Sequence, residues 1–444
     1  MPEEMTILNR ILCSLLLHGM VTRTSLLILN ESKGPVYQEI NKALNKKLIK
    51  QRTVKTKIKG DYVQIAYYTI TRKGIQQIKD SMEAKMPWLS YINTNVERII
   101  IRGHGVKAVR VERFVRISSV AMMMRGIGAD TETTYINSAP GEAGQVESDR
   151  WWETDYDLLG DEESETSILV GAMDEGRAMP LSELVLTAIT KYQLCQGQNN
   201  NGIKETNYNM TFHNAIQIKT KLTGGRSDEQ ASDFTFGRYS GLLESRYKSV
   251  LLYIQTSIGV VWSKKVAERE MAAMKNYGRF HTINKNIKYD DVRAGIFINN
   301  PKSLSDIFFG SKGRNEKEGE DSANVISGKP FTHFYVIPIT YEALKLFKYN
   351  VETSDSELQK FIINKSIEGG LCVLGETLDN ILFPLTNENG VNITIGIIMD
   401  LNQMRTLDGI MSRFREHKFG LLCYGWQVEY YRRIYDEKIE YFVI

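Results

Sequence analysis

Tyr37, Gln38, Asn41, Lys42 and Asn45 share the polar side of one predicted helix, and Arg52, Lys55, Lys57 and Lys59 follow on one arm of a predicted hairpin. Amides and a phenol at helical spacing suit the reading of base edges in a major groove. Ammonium and guanidinium groups on a neighbouring ribbon suit the neutralisation of phosphates. No acidic residue interrupts the chain from Asn41 to Gly60, so within that run the cations face no competing carboxylate. The two sets together predict a contact with double-stranded DNA.

The elements that must position these side chains are legible on either side of them. Ile7, Leu8, Ile11, Leu12, Leu15 and Leu16 recur at helical spacing and stop at Gly19, predicting a first amphipathic helix. A second short helix is expected from Thr24 to Asn30. After Glu31-Ser32-Lys33-Gly34, the residues Val36, Ile40, Leu44 and Leu48 step by four and predict a third helix that docks through this stripe. β-Branched and aromatic residues then flank Lys59-Gly60-Asp61, the pattern of a β-hairpin. Three helices followed by a charged hairpin predict a winged helix over residues 1–80. Its exit, Tyr68-Thr69-Ile70-Thr71-Arg72-Lys73-Gly74, resembles the strand-to-helix phrase Y-x-L-T-x-x-G of bacterial winged-helix proteins.

Other chemistries find little support. The six histidines are scattered, with no pair at metal-ligand spacing, and His104, His213 and His333 read as structural. Tyr430 and Tyr431 lack the clustered histidines that a metal-assisted tyrosine nucleophile needs, and with Trp426 they read as core. Gly224-Gly225 and Gly369-Gly370 are isolated pairs, so neither a P-loop nor a dinucleotide fingerprint is present. Cys13, Cys195, Cys372 and Cys423 are far apart, as expected for reduced thiols in a cytoplasm. The 444 residues, 42% apolar, suffice for two or three cores, and no apolar run is long enough for a membrane span. No export signal follows Met1, and a net charge of +3 confines basic character to the first module. The expectation is a soluble, cytoplasmic protein without a membrane partner.

Residues 81–180 read as a helical connector with an acidic loop. A long helix is expected from Lys107 to Met124, with Lys107, Arg110, Arg113 and Arg116 as further candidates for the DNA backbone. The stretch from Trp151 to Glu165 is acidic and aperiodic, predicting solvated carboxylates. Residues 181–444 alternate helices and strands. Helices are expected at Leu181–Leu194 and Thr211–Leu222. Strands are expected at Arg238–Glu244, Ser249–Gln255, Val260–Trp262, Ala294–Ile298, Phe331–Pro338 and Thr394–Asp400. The fold class is α+β, an N-terminal winged helix-turn-helix followed by a mixed α/β domain.

Several blocks of this second domain resemble the replication-relaxation family, which includes the MOBC-type conjugative relaxases. They are GRYSGLLESRYKSVLLYIQTSIGVVWSKKVAERE, His333 to Pro338, the strand ending at Asp400, and GWQVEYYRRI. Arg102-Gly103-His104 and the run from Ala121 to Ile127 resemble a further block. The resemblance implies a domain related to the PD-(D/E)xK nuclease fold, in a protein that acts on plasmids or integrative elements. It also implies a metal site of strand-end carboxylates holding Mg or Mn, with a lysine beside them. Glu244 and Asp400 are the candidate metal ligands and catalytic carboxylates, and Lys264 the candidate lysine. The Glu-x-Lys of that motif is missing: the second strand offers Tyr253 and Gln255, the third Val260, Val261 and Trp262.

Two functions follow. In one, the protein is an origin-recognising, relaxase-like accessory factor in replication or conjugative transfer, its nuclease-like domain catalytically degenerate. In the other, it is an active metal-dependent relaxase that nicks the transfer origin. A winged-helix transcriptional regulator is a further alternative. All three take double-stranded DNA as partner and leave room for a homodimer and for transfer or replication proteins.

Overall fold

A computed structural model describes residues 5–58, 61–82, 89, 108–129, 210–214, 239–255, 293–309, 331–368, 371, 383, 385–435 and 438–444. The chain is a mixed α+β protein that divides into two compact units, residues 1–231 and 232–444. Among the described residues no helix is long and apolar enough to cross a membrane.

The first unit opens with helix α1 (Ile7–His18), capped by the Thr6 hydroxyl, which accepts from Asn9 N at 3.2 Å. α2 (Arg23–Leu26) is shorter than expected and tightens into a 3₁₀ turn at Leu27–Leu29. α3 (Lys33–Asn45) follows, then the antiparallel strands β1 (Ile49–Ile58) and β2 (Asp61–Ile70), and α4 (Arg72–Met82). Val21 adds a third rung to the hairpin through paired hydrogen bonds with Tyr68. The expected helix of residues 107–124 is α5 (Ala108–Gly126). Val111 and Val115 of α5 pack with Met20, Val54, Ile65 and Tyr67, so one face of the hairpin is core. From Val115 onward, buried residues fall on all sides of α5: Val115, Ile117, Ser119, Val120 and Met122 to Met124. That placement explains its methionines and makes this part of the helix a core element. A short strand, β3 (Met210–Asn214), occupies the start of the stretch expected as a helix from Thr211. Met210, Phe212 and His213 are buried and Thr211 is half-buried.

The exit phrase of the hairpin has a structural cause. The Thr71 hydroxyl donates to Leu48 O at 2.9 Å and to Lys47 O at 2.7 Å, and it accepts from Gly74 N at 3.2 Å. A Cβ on Gly74 would stand 2.2 Å from Leu48 O, so the backbone of α4 approaches the strand start more closely than any side chain permits. Gly74→Ala is therefore expected to destabilise the first unit by about 1–3 kcal/mol, as overpacking against fixed backbone does. A lowered urea midpoint in the variant would bear this out, and an unchanged one would count against the close approach.

In the second unit, β4 (Gly241–Ser245) pairs antiparallel with β5 (Ser249–Ile254), and β5, β6 (Arg293–Ile298) and β7 (His333–Pro338) run parallel. Their burial is continuous except at His333, as expected of parallel strands covered on both faces. Helix α6 (Pro301–Phe309) follows β6. Helices α7 (Tyr341–Glu352) and α8 (Asp355–Glu368) follow β7. A second sheet has the order β11-β10-β9-β8, from β8 (Leu385–Thr386), β9 (Asn392–Ile395), β10 (Phe419–Cys423) and β11 (Glu440–Val443). Helix α9 (Leu401–Arg413) joins β9 to β10, and α10 (Val428–Tyr435) joins β10 to β11. Tyr430 and Tyr431 are buried, and the Tyr431 hydroxyl donates to Gly396 O, so these side chains belong to the core. The expected strand Val260–Trp262 lies outside the described residues.

Candidate nucleic-acid interface

α3 is held by Val36, Ile40 and Ala43, which are fully buried, and this fixes which side faces out. Tyr37, Gln38, Asn41, Lys42 and Asn45 are all exposed. Ala43 takes the inward place expected of Leu44, which is half-buried. α3 ends in a Schellman turn: Leu48 N donates to Ala43 O at 2.8 Å and Lys47 N to Leu44 O at 2.9 Å. The turn puts Lys47 at φ 57°, a left-handed conformation, and directs the chain straight into β1. Helix and hairpin are thus joined by a rigid corner.

The exposed helix face carries charges of both signs. Lys42 Nζ pairs with Glu39 Oε1 at 2.6 Å, an exposed contact worth little and readily exchanged for a phosphate. The guanidinium of Arg23 lies 4.4 Å from the centre of the Tyr37 ring, adding a cation at the edge of this face. Lys46, Lys47 and Lys50 are exposed around the corner that follows. Reading the sequence for a helix face left out Arg23 and these three lysines. The signal for the lysines was the acid-free run itself, which begins before the hairpin.

The hairpin cations divide. Arg52 shares its side of β1 with buried Val54, the side packed against α5, and it is half-buried opposite Tyr67. Burial, partly offset by the Arg52 charge, raises the Tyr67 hydroxyl above its ordinary value. Lys55 and Lys57 occupy β1 positions paired with Gln64 and Tyr62. Their side chains, and Lys59 altogether, lie outside the described residues, as do Lys107, Arg110 and Arg113. Arg116 is half-buried within α5.

The candidate metal ligands stand apart. Glu244 pairs with Ser249, and Val250, one residue on, aligns with Arg293 and His333, so β5, β6 and β7 intervene before Asp400 is reached. Asp400 bridges the far side of β7 at Tyr335, where Val336 N donates to Met399 O. Four strand spacings of about 4.8 Å put the two residues roughly 19 Å apart, whereas metal–oxygen distances are about 2.0–2.6 Å. One cation cannot hold both carboxylates. Among the described residues no three His, Cys, Asp or Glu side chains group as metal ligands. Lys264 lies outside the described residues. Asp400 ends no long strand; it is the N-cap of α9, with its Oδ1 accepting from Asn402 N at 2.9 Å and Phe334 N at 3.3 Å. Its Oδ2 lies 2.7 Å from His333 Nδ1. The carboxylate orients an imidazole that is 42% exposed and stacked on Tyr335.

Beside that pair lies a network that was not legible in the sequence. Asp355, the first residue of α8, takes Arg293 Nη2 on Oδ2 at 2.6 Å and Arg293 Nη1 on Oδ1 at 3.0 Å. Lys248 Nζ lies 3.1 Å from the same Oδ1 and donates to Asn350 Oδ1 at 2.8 Å. Partial burial pushes the Asp355 carboxyl up, but the hydrogen bonds and charges of Arg293 and Lys248 outweigh it and hold the group well below the usual carboxylate range. Arg293 also donates to the Tyr335 hydroxyl at 3.2 Å, and burial pushes that hydroxyl up to about 12. Lys248 and Arg293 are almost wholly buried, so neither is open to a ligand from solvent; the network ties α7 and α8 to the strand starts.

Comparison of the chain with protein-family models, with curated proteins and with solved structures gives no match in any of the three.

Proposed function

We propose that the first unit is a winged helix that reads double-stranded DNA, with α3 in the major groove and the hairpin beside it as the wing. The observation that carries this is the exposed row Tyr37, Gln38, Asn41, Lys42 and Asn45, joined through a rigid corner to Lys46, Lys47 and Lys50. Amide side chains on a groove-sized helix discriminate bases, and surrounding cations supply sequence-independent affinity. The resemblance of the second domain to the replication-relaxation family supports a role on a plasmid or integrative element, in replication or conjugative transfer. The distance between Glu244 and Asp400 favours the accessory, origin-recognising reading over a metal-dependent nickase built on that pair.

Titration of the full chain with fluorescent duplex fragments tests the proposal. Binding should weaken with salt at a slope of about −0.9 per phosphate contact. Changing Lys55, Lys57 and Lys59 to alanine should flatten that slope by up to about three units. Absence of duplex binding at low salt would overturn the DNA-reading function, and an unchanged slope in the triple variant would remove the hairpin from the interface.

A further inference from the structure

The turn between α9 and β10 has a composition the fold does not call for. α9 is anchored by buried Leu401, Met404 and Leu407, and β10 is buried along its whole length. Between them, Ser412 to Lys418 are seven consecutive exposed residues. They carry Arg413, Arg415, His417 and Lys418 against the single carboxylate of Glu416, with Phe414 in their midst. Phe414 caps α9, its N donating to Ile410 O at 2.9 Å. Phe414 is 38% exposed, and its ring meets that of His417 edge-on, with centroids 5.8 Å apart.

Helix C-termini favour cations, and that alone would account for Arg413. It does not account for an aromatic ring held at the surface with cations on both sides. A double helix offers phosphates to such a patch, but its bases are already stacked on one another. A single strand offers both phosphates and free base faces, and ring stacking between cations is the recurrent way of holding one. We infer that the Arg413–Lys418 turn of the second unit is a contact for single-stranded DNA, with Phe414 stacking on a base and Arg413, Arg415 and Lys418 on the flanking phosphates. This goes beyond duplex reading by α3 and does not depend on it. A protein with both contacts can hold duplex and unpaired DNA at once, as opening or transfer of a strand requires.

The test uses the full chain and a labelled oligothymidine of about 20 nucleotides, which cannot pair with itself, alongside a duplex of similar length. The triple variant Arg413→Ala, Arg415→Ala, Lys418→Ala should bind the single strand at least about tenfold more weakly, with a salt slope flatter by about two units. Phe414→Leu, which keeps an apolar group and loses the ring, should also lose roughly tenfold. Duplex affinity should hold in both, and because all four residues are exposed the variants should fold. The inference is overturned if the wild type ignores the single strand, if neither variant weakens it, or if duplex binding falls equally. It is also overturned if the triple variant loses binding to anionic phosphatidylserine vesicles or an acidic peptide while single-strand binding stays intact. Loss of duplex binding by the wild type, with the single-strand result intact, would sink the reading of α3 and leave this contact standing.

Discussion

Replacing Gln38 and Asn41 together by alanine is expected to erase most of the preference for a selected duplex site while leaving the fold intact. Both side chains are exposed on α3, whose packing rests on Val36, Ile40 and Ala43, so the change removes no buried contact. A well-placed amide–base contact is worth about 1–3 kcal/mol of discrimination, or roughly 5- to 150-fold. The two residues are one helical turn apart, so their contributions couple and the double loss need not equal the sum. Affinity for random duplex, which depends on the cations, should change little. The measurement is the ratio of affinities for a site selected from a random library and for bulk duplex. A ratio that survives the double change would mean that α3 does not read bases.

A second large effect is expected from Asp355→Ala. The variant leaves Lys248 and Arg293 buried at the strand starts without the carboxylate they share. Removing one partner of a buried ion pair costs about 3–5 kcal/mol. Asp355 is itself 62% exposed, so solvent screens its side of the pairs and the expected loss is about 2–3 kcal/mol. Asp355→Asn, which keeps an acceptor, should recover part of it. The pH dependence follows from the direction of the shift. The ionised carboxyl is favoured in the folded state, so its contribution is present above the unfolded value of about 3.9 and is lost as pH falls below it. Urea unfolding between pH 3 and pH 6 should show the wild type beginning to lose this increment below about pH 4, with the remainder lost at still lower pH, and the alanine variant lacking it throughout. Equal stabilities at neutral pH would mean that the ion pairs contribute nothing net.

The α3 face could be read from the chain because helical periodicity is local. Buried Val36 and Ile40 fix the phase, and Gln38, Asn41 and Asn45 must then face away. The Thr71–Gly74 phrase was equally visible as a pattern, although its reason, the approach of Gly74 to Leu48 O, exists only once the hairpin has folded back. The buried network was invisible. Lys248 and Arg293 each stand at the start of an apolar strand, which hints at a required counter-charge, but the partner, Asp355, lies 107 and 62 residues along the chain. Glu244 and Asp400 mark the reverse failure. Both sit at ends of apolar segments, which made them look like partners, yet strand order put β5, β6 and β7 between them.

Among the described residues the chain by itself determined most of the helices, most of the strands and the outward face of α3, because side-chain periodicity and turn chemistry act over a few residues. Only the tertiary structure decided that part of α5 is core, that Arg52 turns toward it, that Asp400 caps a helix and orients His333, and that two buried cations share Asp355. Each of these depends on which segments become neighbours, and neighbours distant along the chain are chosen by burial and pairing of the whole sheet.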